Sequence, residues 1–101
     1  MFSEKYHDVN NIYMEIGREI VKKTYVYLHD HKELLEDPKY RRAYVYARKV
    51  EAEYAALRTN AVVSDDFLQN EDFVTELYIK THREELESYR KSADWLADEL
   101  E

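Results

Sequence analysis

Six cations and four tyrosines crowd into residues 38–58. Lys39, Arg41, Arg42, Arg48, Lys49 and Arg58 are threaded between Tyr40, Tyr44, Tyr46 and Tyr54, against only Glu51 and Glu53. Together they supply what a single-stranded nucleic acid requires, neutralisation of phosphates and flat faces for base stacking. If this stretch is a helix with Ala43, Ala47, Val50, Tyr54, Leu57 and Ala61 as its seam, Arg41, Arg42, Arg48 and Lys49 line the outer side, and Tyr44 and Tyr46 flank the seam. Two other readings suit the same stripe. It is a solvated face balancing acidic helices elsewhere, or a contact for an acidic protein.

The remainder of the chain is acidic. Residues 1–37 carry a net −3 and residues 59–101 a net −8, around a middle of +4. Carboxylates recur at Asp65, Asp66, Glu71, Asp72, Glu84, Glu85, Glu87, Asp94, Asp98 and Glu99. Displayed on rigid helices, such groups can imitate the phosphates of DNA and fill a cationic groove; they also serve solubility. Trp95 lies outside the seam of its helix, between Asp94 and Asp98. An indole is costly to leave wet and is enriched at interface hot spots, so Trp95 is expected to pack on the first helix or to meet a partner. Glu84, Glu85, Glu87, Asp94, Trp95 and Asp98 are the candidate partner-binding residues. Arg41, Arg42, Tyr44, Arg48 and Lys49 are the alternative, nucleic-acid-binding set.

Catalytic patterns are lacking. His29 and His31, two apart, point about 200° from each other on a helix and cannot share a metal. Glu4-x-x-His7 is a single copy of a motif that di-iron bundles use twice. His82 falls on an apolar seam and reads as a core histidine. No nucleophile–base pattern or phosphate-binding glycine loop is present, so the expectation is no enzyme, no metal and no cofactor.

These residues must be carried by helices. One glycine and one proline in 101 residues leave too little turn chemistry for a many-stranded sheet. The expected fold is all-α and a single domain over 1–101. Helix 1 covers about 4–29 after a Ser3 cap, with Tyr6, Val9, Tyr13, Ile16, Ile20 and Tyr27 on one face. Gly17 within it is either tolerated or a point of close helix approach. Residues 30–36 end helix 1 or form a separate turn, where Asp30 and Glu33 outline a capping box. Asp37-Pro38 caps helix 2, about 38–61. A short turn with Phe67 and Leu68 lies between possible caps Ser64 and Asn70. Helix 3 covers about 71–99, with His82, Leu86, Tyr89, Ala93, Leu96 and Leu100 as its seam. Phe73, Val74, Leu77 and Tyr78 sit on a shifted face, as for a different neighbour. Glu87 and Lys91 have i,i+4 spacing. Helices 2 and 3 are expected to form an antiparallel hairpin. Helix 1 lies across it or pairs between protomers.

The chain has no cysteine, no apolar run near the ~20 residues of a membrane span, and no signal-peptide pattern at its start. The expectation is a cytoplasmic protein with no membrane partner. A net charge of −7 favours protein partners over indiscriminate nucleic-acid binding.

In general type the chain resembles small bacteriophage accessory and host-takeover proteins, which are short, acidic and helical. Residues 39–96 also resemble, in outline, the UvsY-type phage recombination mediators. The likeness runs through a basic-aromatic helix (YRRAYVYARKVEAEYAALR), an Asp-rich turn (SDDFLQNEDF) and a helix ending in ELESYRKSADWL. That second resemblance implies helical oligomers that bind single-stranded DNA and load a recombinase. The leading expectation is a non-enzymatic module that binds a larger host or phage protein, such as a phage inhibitor or adaptor of a host enzyme or defence complex. The alternatives are a single-stranded-DNA or recombinase accessory protein and an architectural helical oligomer, with homodimers or higher oligomers open in each case.

Overall fold

The computed structural model describes residues 10–59 and 62–101. Four α-helices follow in order: α1 (Asn10–Asp30), α2 (Pro38–Thr59), α3 (Asp65–His82) and α4 (Arg90–Glu99). A 3-10 turn (Lys32–Glu36) joins α1 to α2, and a second 3-10 segment (Arg83–Tyr89) joins α3 to α4. The fold is all-α, with no strand among the described residues.

The core forms around α1, which packs against α2 and α4 and also touches α3. Its inner surface is a continuous run, with Val21, Thr24, Tyr25, Val26, Tyr27, Leu28 and His29 all buried. A run buried on every side marks a helix surrounded by others rather than one lying on a surface. Helix 1 therefore packs within its own chain. Facing it are Ala43 and Ala47 of α2, Leu86 and Tyr89 of the second 3-10 segment, and Ala93, Leu96 and Ala97 of α4. Four of these are alanines with no exposed surface, which lets the helix backbones approach closely.

Contacts along α2 run in antiparallel order. Lys39 meets Asp98, Tyr40 meets Asp94 and Arg48 meets Asp72, at 2.5, 2.6 and 3.0 Å. The α2–α3 contact is slight and the α2–α4 contact broader.

The caps explain several boundaries. Asp37 Oδ1 accepts from Lys39 N at 3.0 Å, closing the start of α2 at Pro38. Ser64 Oγ accepts from Phe67 N at 3.2 Å, so α3 begins at Asp65. The expected short turn is thus the first turn of α3, and Asn70 lies inside the helix instead of capping it. The expected capping box at Asp30 and Glu33 is not used. His31 holds the cap position without a side-chain capping bond, its Nδ1 lying 2.9 Å from the Tyr27 carbonyl instead, and Asp30 reaches Arg83 at 3.1 Å. Ser3 and Ala61, with Glu4 and His7, lie outside the described residues.

Helix 3 of the sequence reading is divided in two. Glu84 and Glu85 follow the end of α3, where the helix dipole disfavours anions, and there the chain tightens into a 3-10 turn. The tightening breaks i,i+4 register, and Glu87 lies 3.7 Å from His31 Nε2 instead of pairing with Lys91. Leu86, Tyr89, Ala93 and Leu96 are buried as expected. The α2 seam holds at Ala43 and Ala47 but not at Leu57, which is 79% exposed; Ala52 and Ala56 are buried instead. The buried side shifts because α2 changes neighbours along its length.

A Cβ on Gly17 would meet nothing within 4 Å among the described residues, so this glycine marks no close approach between them. Gly17→Ala should therefore raise stability by about 0.5–1 kcal/mol through helix propensity alone. Leu28→Ala, at a side chain with no exposed surface, should lower it by about 2–5 kcal/mol. Urea melts followed by circular dichroism read both; equal effects would contradict this core assignment.

Candidate functional site

Beneath the surface lies a polar network that ties three helices together. Tyr25 of α1 donates its hydroxyl proton to Asp72 Oδ1 of α3 at 2.7 Å, and Arg48 of α2 reaches Asp72 Oδ2 at 3.0 Å. Beside them, His29 Nδ1 and the Tyr44 hydroxyl lie 2.9 Å apart. The Tyr25 ring packs edge-on to His29 and tilted against Tyr44, with centroids 5.8 and 5.7 Å away.

Burial sets the protonation states. It raises the Tyr25 hydroxyl pKa, and the bond to Asp72 adds to the rise. Burial, with Asp72 nearby, pushes Tyr44 up to about 12. His29 moves the other way: burial first, then Lys32, lowers its pKa, while Asp72 and Glu76 partly oppose them. The imidazole is therefore neutral at neutral pH. Its Nε2 has no hydrogen-bond partner among the described residues, since Glu76 Oε1 stands 3.7 Å off. An open cavity of about 310 Å³ borders it, lined by His29, Lys32, Glu33, Glu76, Ile79 and Arg83 among others. Its charges are mixed, and no group of described residues there or elsewhere has the makeup of a metal site.

The sequence-derived cationic set divides on this framework. Arg48 does not face outward but bonds Asp72, and Tyr44 is drawn into the network with His29. Arg41 Nε donates to the Leu35 carbonyl at 2.9 Å, which fastens the first 3-10 turn to α2. Arg41, Arg42 and Lys49 are exposed and have no ion pair among the described residues, and of these three Arg41 is held by backbone carbonyls.

The acidic set divides as well. Asp94 accepts from Tyr40 and Asp98 pairs with Lys39, so both carboxylates hold α4 to α2. Glu84, Glu85 and Glu87 are exposed on the second 3-10 segment. Trp95 is 49% exposed on α4, so its indole is only half covered by this chain. His82 is half-buried and stacks on Tyr78, with centroids 4.2 Å apart, at the edge of the core rather than in it.

Sequence reasoning missed the joint role of Tyr25, His29 and Asp72. The i,i+4 spacing of Tyr25 and His29 was the available signal; nothing local marked Asp72 among the other carboxylates. Comparison with known protein families, characterised proteins and solved structures yields no match to this chain.

Two predictions test the network. Tyr25→Phe removes a hydrogen bond to a charged acceptor and should cost about 1.5–3 kcal/mol in a urea melt. The second concerns His29, whose folded pKa lies below its unfolded value of about 6.5. Between the two values the unfolded chain binds more protons, so this residue's contribution to stability falls as pH drops below about 6.5. The difference between wild type and His29→Gln, measured from about pH 7.5 to 5, should shrink accordingly. A pH-independent difference would show that His29 is not held neutral.

Proposed function

We propose that the chain is a non-enzymatic protein-interaction module that presents residues 83–99 to a cationic surface of a larger protein. The half-exposed Trp95 indole carries this reading, since Glu84, Glu85 and Glu87 lie exposed on the segment just before its helix. An apolar anchor in a negative field fits a basic groove, and desolvated tryptophans commonly dominate such contacts. Asp94 and Asp98 serve the contact indirectly by fixing α4, and with it the indole, onto α2. The form of this role that suits a small acidic helical chain is an inhibitor or adaptor, phage-encoded, that occupies a host enzyme or defence complex as a nucleic acid would.

The alternative is a single-stranded-DNA or recombinase accessory role of the mediator type. It rests on Arg42 and Lys49, with Tyr46 exposed beside them. Arg41, Arg48 and Tyr44 already have partners within the fold, which leaves that reading a small electrostatic footprint.

Immobilised wild-type protein should capture a partner from host lysate that Glu84→Lys/Glu85→Lys/Glu87→Lys does not capture, with helicity intact by circular dichroism. Trp95→Ala should weaken that complex about 30-fold or more. Capture indifferent to both variants would end this reading. Oligonucleotide binding at about 50 mM salt that collapses by about 200 mM would favour the alternative.

A further inference from the structure

Helix α3 carries a second apolar face that its own fold does not cover. Thr75 and Ile79 turn into the core, whereas Phe73, Val74 and Leu77 lie on the other side, 62%, 57% and 50% exposed. The outer stripe reads Asp66, Asn70, Phe73, Leu77 and Lys80, all exposed and spaced alternately by four and three, as a coiled-coil seam is. Gln69 and Glu76 border it on one edge, Val74 and Thr81 on the other. Single apolar residues scattered on a surface need no explanation; three large ones side by side on a helix mark a contact face.

The charges on this stripe say what covers it. Asp66 and Lys80 stand seven residues either side of Phe73, and neither has an ion pair among the described residues. A stripe that is acidic at one end, apolar in the middle and basic at the other is complementary to its own reverse. A second α3 laid antiparallel and centred on Phe73 sets Asp66 of each copy opposite Lys80 of the other, at both ends of the contact. Phe73 then meets Phe73 at the centre, with Leu77 on either side. The acidic edge tolerates the same register, because Gln69 falls beside Glu76 of the other copy and the two Glu76 residues lie about 9 Å apart along the axis. A parallel pair would instead oppose Asp66 to Asp66 and Lys80 to Lys80.

We infer that a second copy of this chain docks on this face, α3 against α3 in antiparallel order, as a two-fold dimer. The contact is isologous, so each stripe is used once and assembly closes at two. One helix per copy is a small interface, which places the association in the weak, transient class. The face uses none of Glu84, Glu85, Glu87 or Trp95, so it stands or falls separately from the proposed partner-binding face.

Sedimentation equilibrium of the full chain at high protein concentration tests this, with helicity of every variant checked by circular dichroism. The wild type should fit a monomer–dimer equilibrium, and Phe73→Ala/Leu77→Ala should be monomeric. Lys80→Glu places acid opposite Asp66 twice, and Asp66→Lys places base opposite Lys80 twice. Each alone should lower the association constant about tenfold or more. An equimolar mixture of the two should recover it, because Asp66 then faces Lys80 and Glu at 80 faces Lys at 66. The alanine pair, at exposed positions, supplies an uncharged test should either reversal fail to fold. A monomeric wild type overturns the proposal, including where a different protein is found on the face. So does a dimer that survives the alanine pair, or one that neither charge reversal weakens.

Discussion

Asp72 is the junction on which the helix arrangement depends. Its two oxygens accept hydrogen bonds from the Tyr25 hydroxyl on α1 and the Arg48 guanidinium on α2, while its own backbone belongs to α3. The slight direct contact between α2 and α3 makes this carboxylate a principal link between them. A partly buried anion with two donors is specific in a way that apolar packing is not, because losing either donor leaves charge in poor solvent. Tyr25, Tyr44 and His29 gather around it, so the aromatic surface of α1 and α2 is organised by one acidic residue.

That arrangement bears on function by subtraction. A protein this acidic can hold a basic helix in place by using part of its basicity internally. Arg48 goes to Asp72, Lys39 to Asp98 and Arg41 to backbone carbonyls. What is left on α2 is a narrow strip around Arg42, Tyr46 and Lys49. The same happens on the acidic side, where Asp94 and Asp98 serve the α2–α4 contact and leave the glutamates of residues 83–89 and the indole of Trp95 facing out. Charge that looked available in bulk is largely committed, and the surfaces open to a partner are smaller and more sharply defined.

Alanine and 3-10 geometry shape the rest. Ala43, Ala47, Ala93 and Ala97, with no exposed surface, bring backbones close around α1 and leave little room for large core side chains. Tyrosines contribute beside the aliphatic core, and their hydroxyls find partners: Tyr25 with Asp72, Tyr40 with Asp94, Tyr44 with His29, and Tyr78 with Tyr89 at 2.8 Å. The second 3-10 segment re-aims α4, so that Leu86, Tyr89 and Ala93 still reach the core after the turn.

By itself the sequence determined the helical class, the Asp37-Pro38 start of α2 and the buried series Leu86, Tyr89, Ala93 and Leu96, because these depend on local propensity, capping and spacing. It set Phe73, Val74, Leu77 and Tyr78 on a shifted face as for a different neighbour, but only Tyr78 packs against the core, and Phe73, Val74 and Leu77 are exposed. Only tertiary structure decided which charges were free. Arg48 and Arg42 look alike in sequence, as do Asp72 and Asp66, and they differ only in what a neighbouring helix brings within 3 Å. The division of the last helix likewise escaped pattern reading, because no glycine or proline marks it. Periodicity reports which face is apolar; it does not report the distance to a partner on another helix, and that distance separates an internal ion pair from a surface open to another molecule.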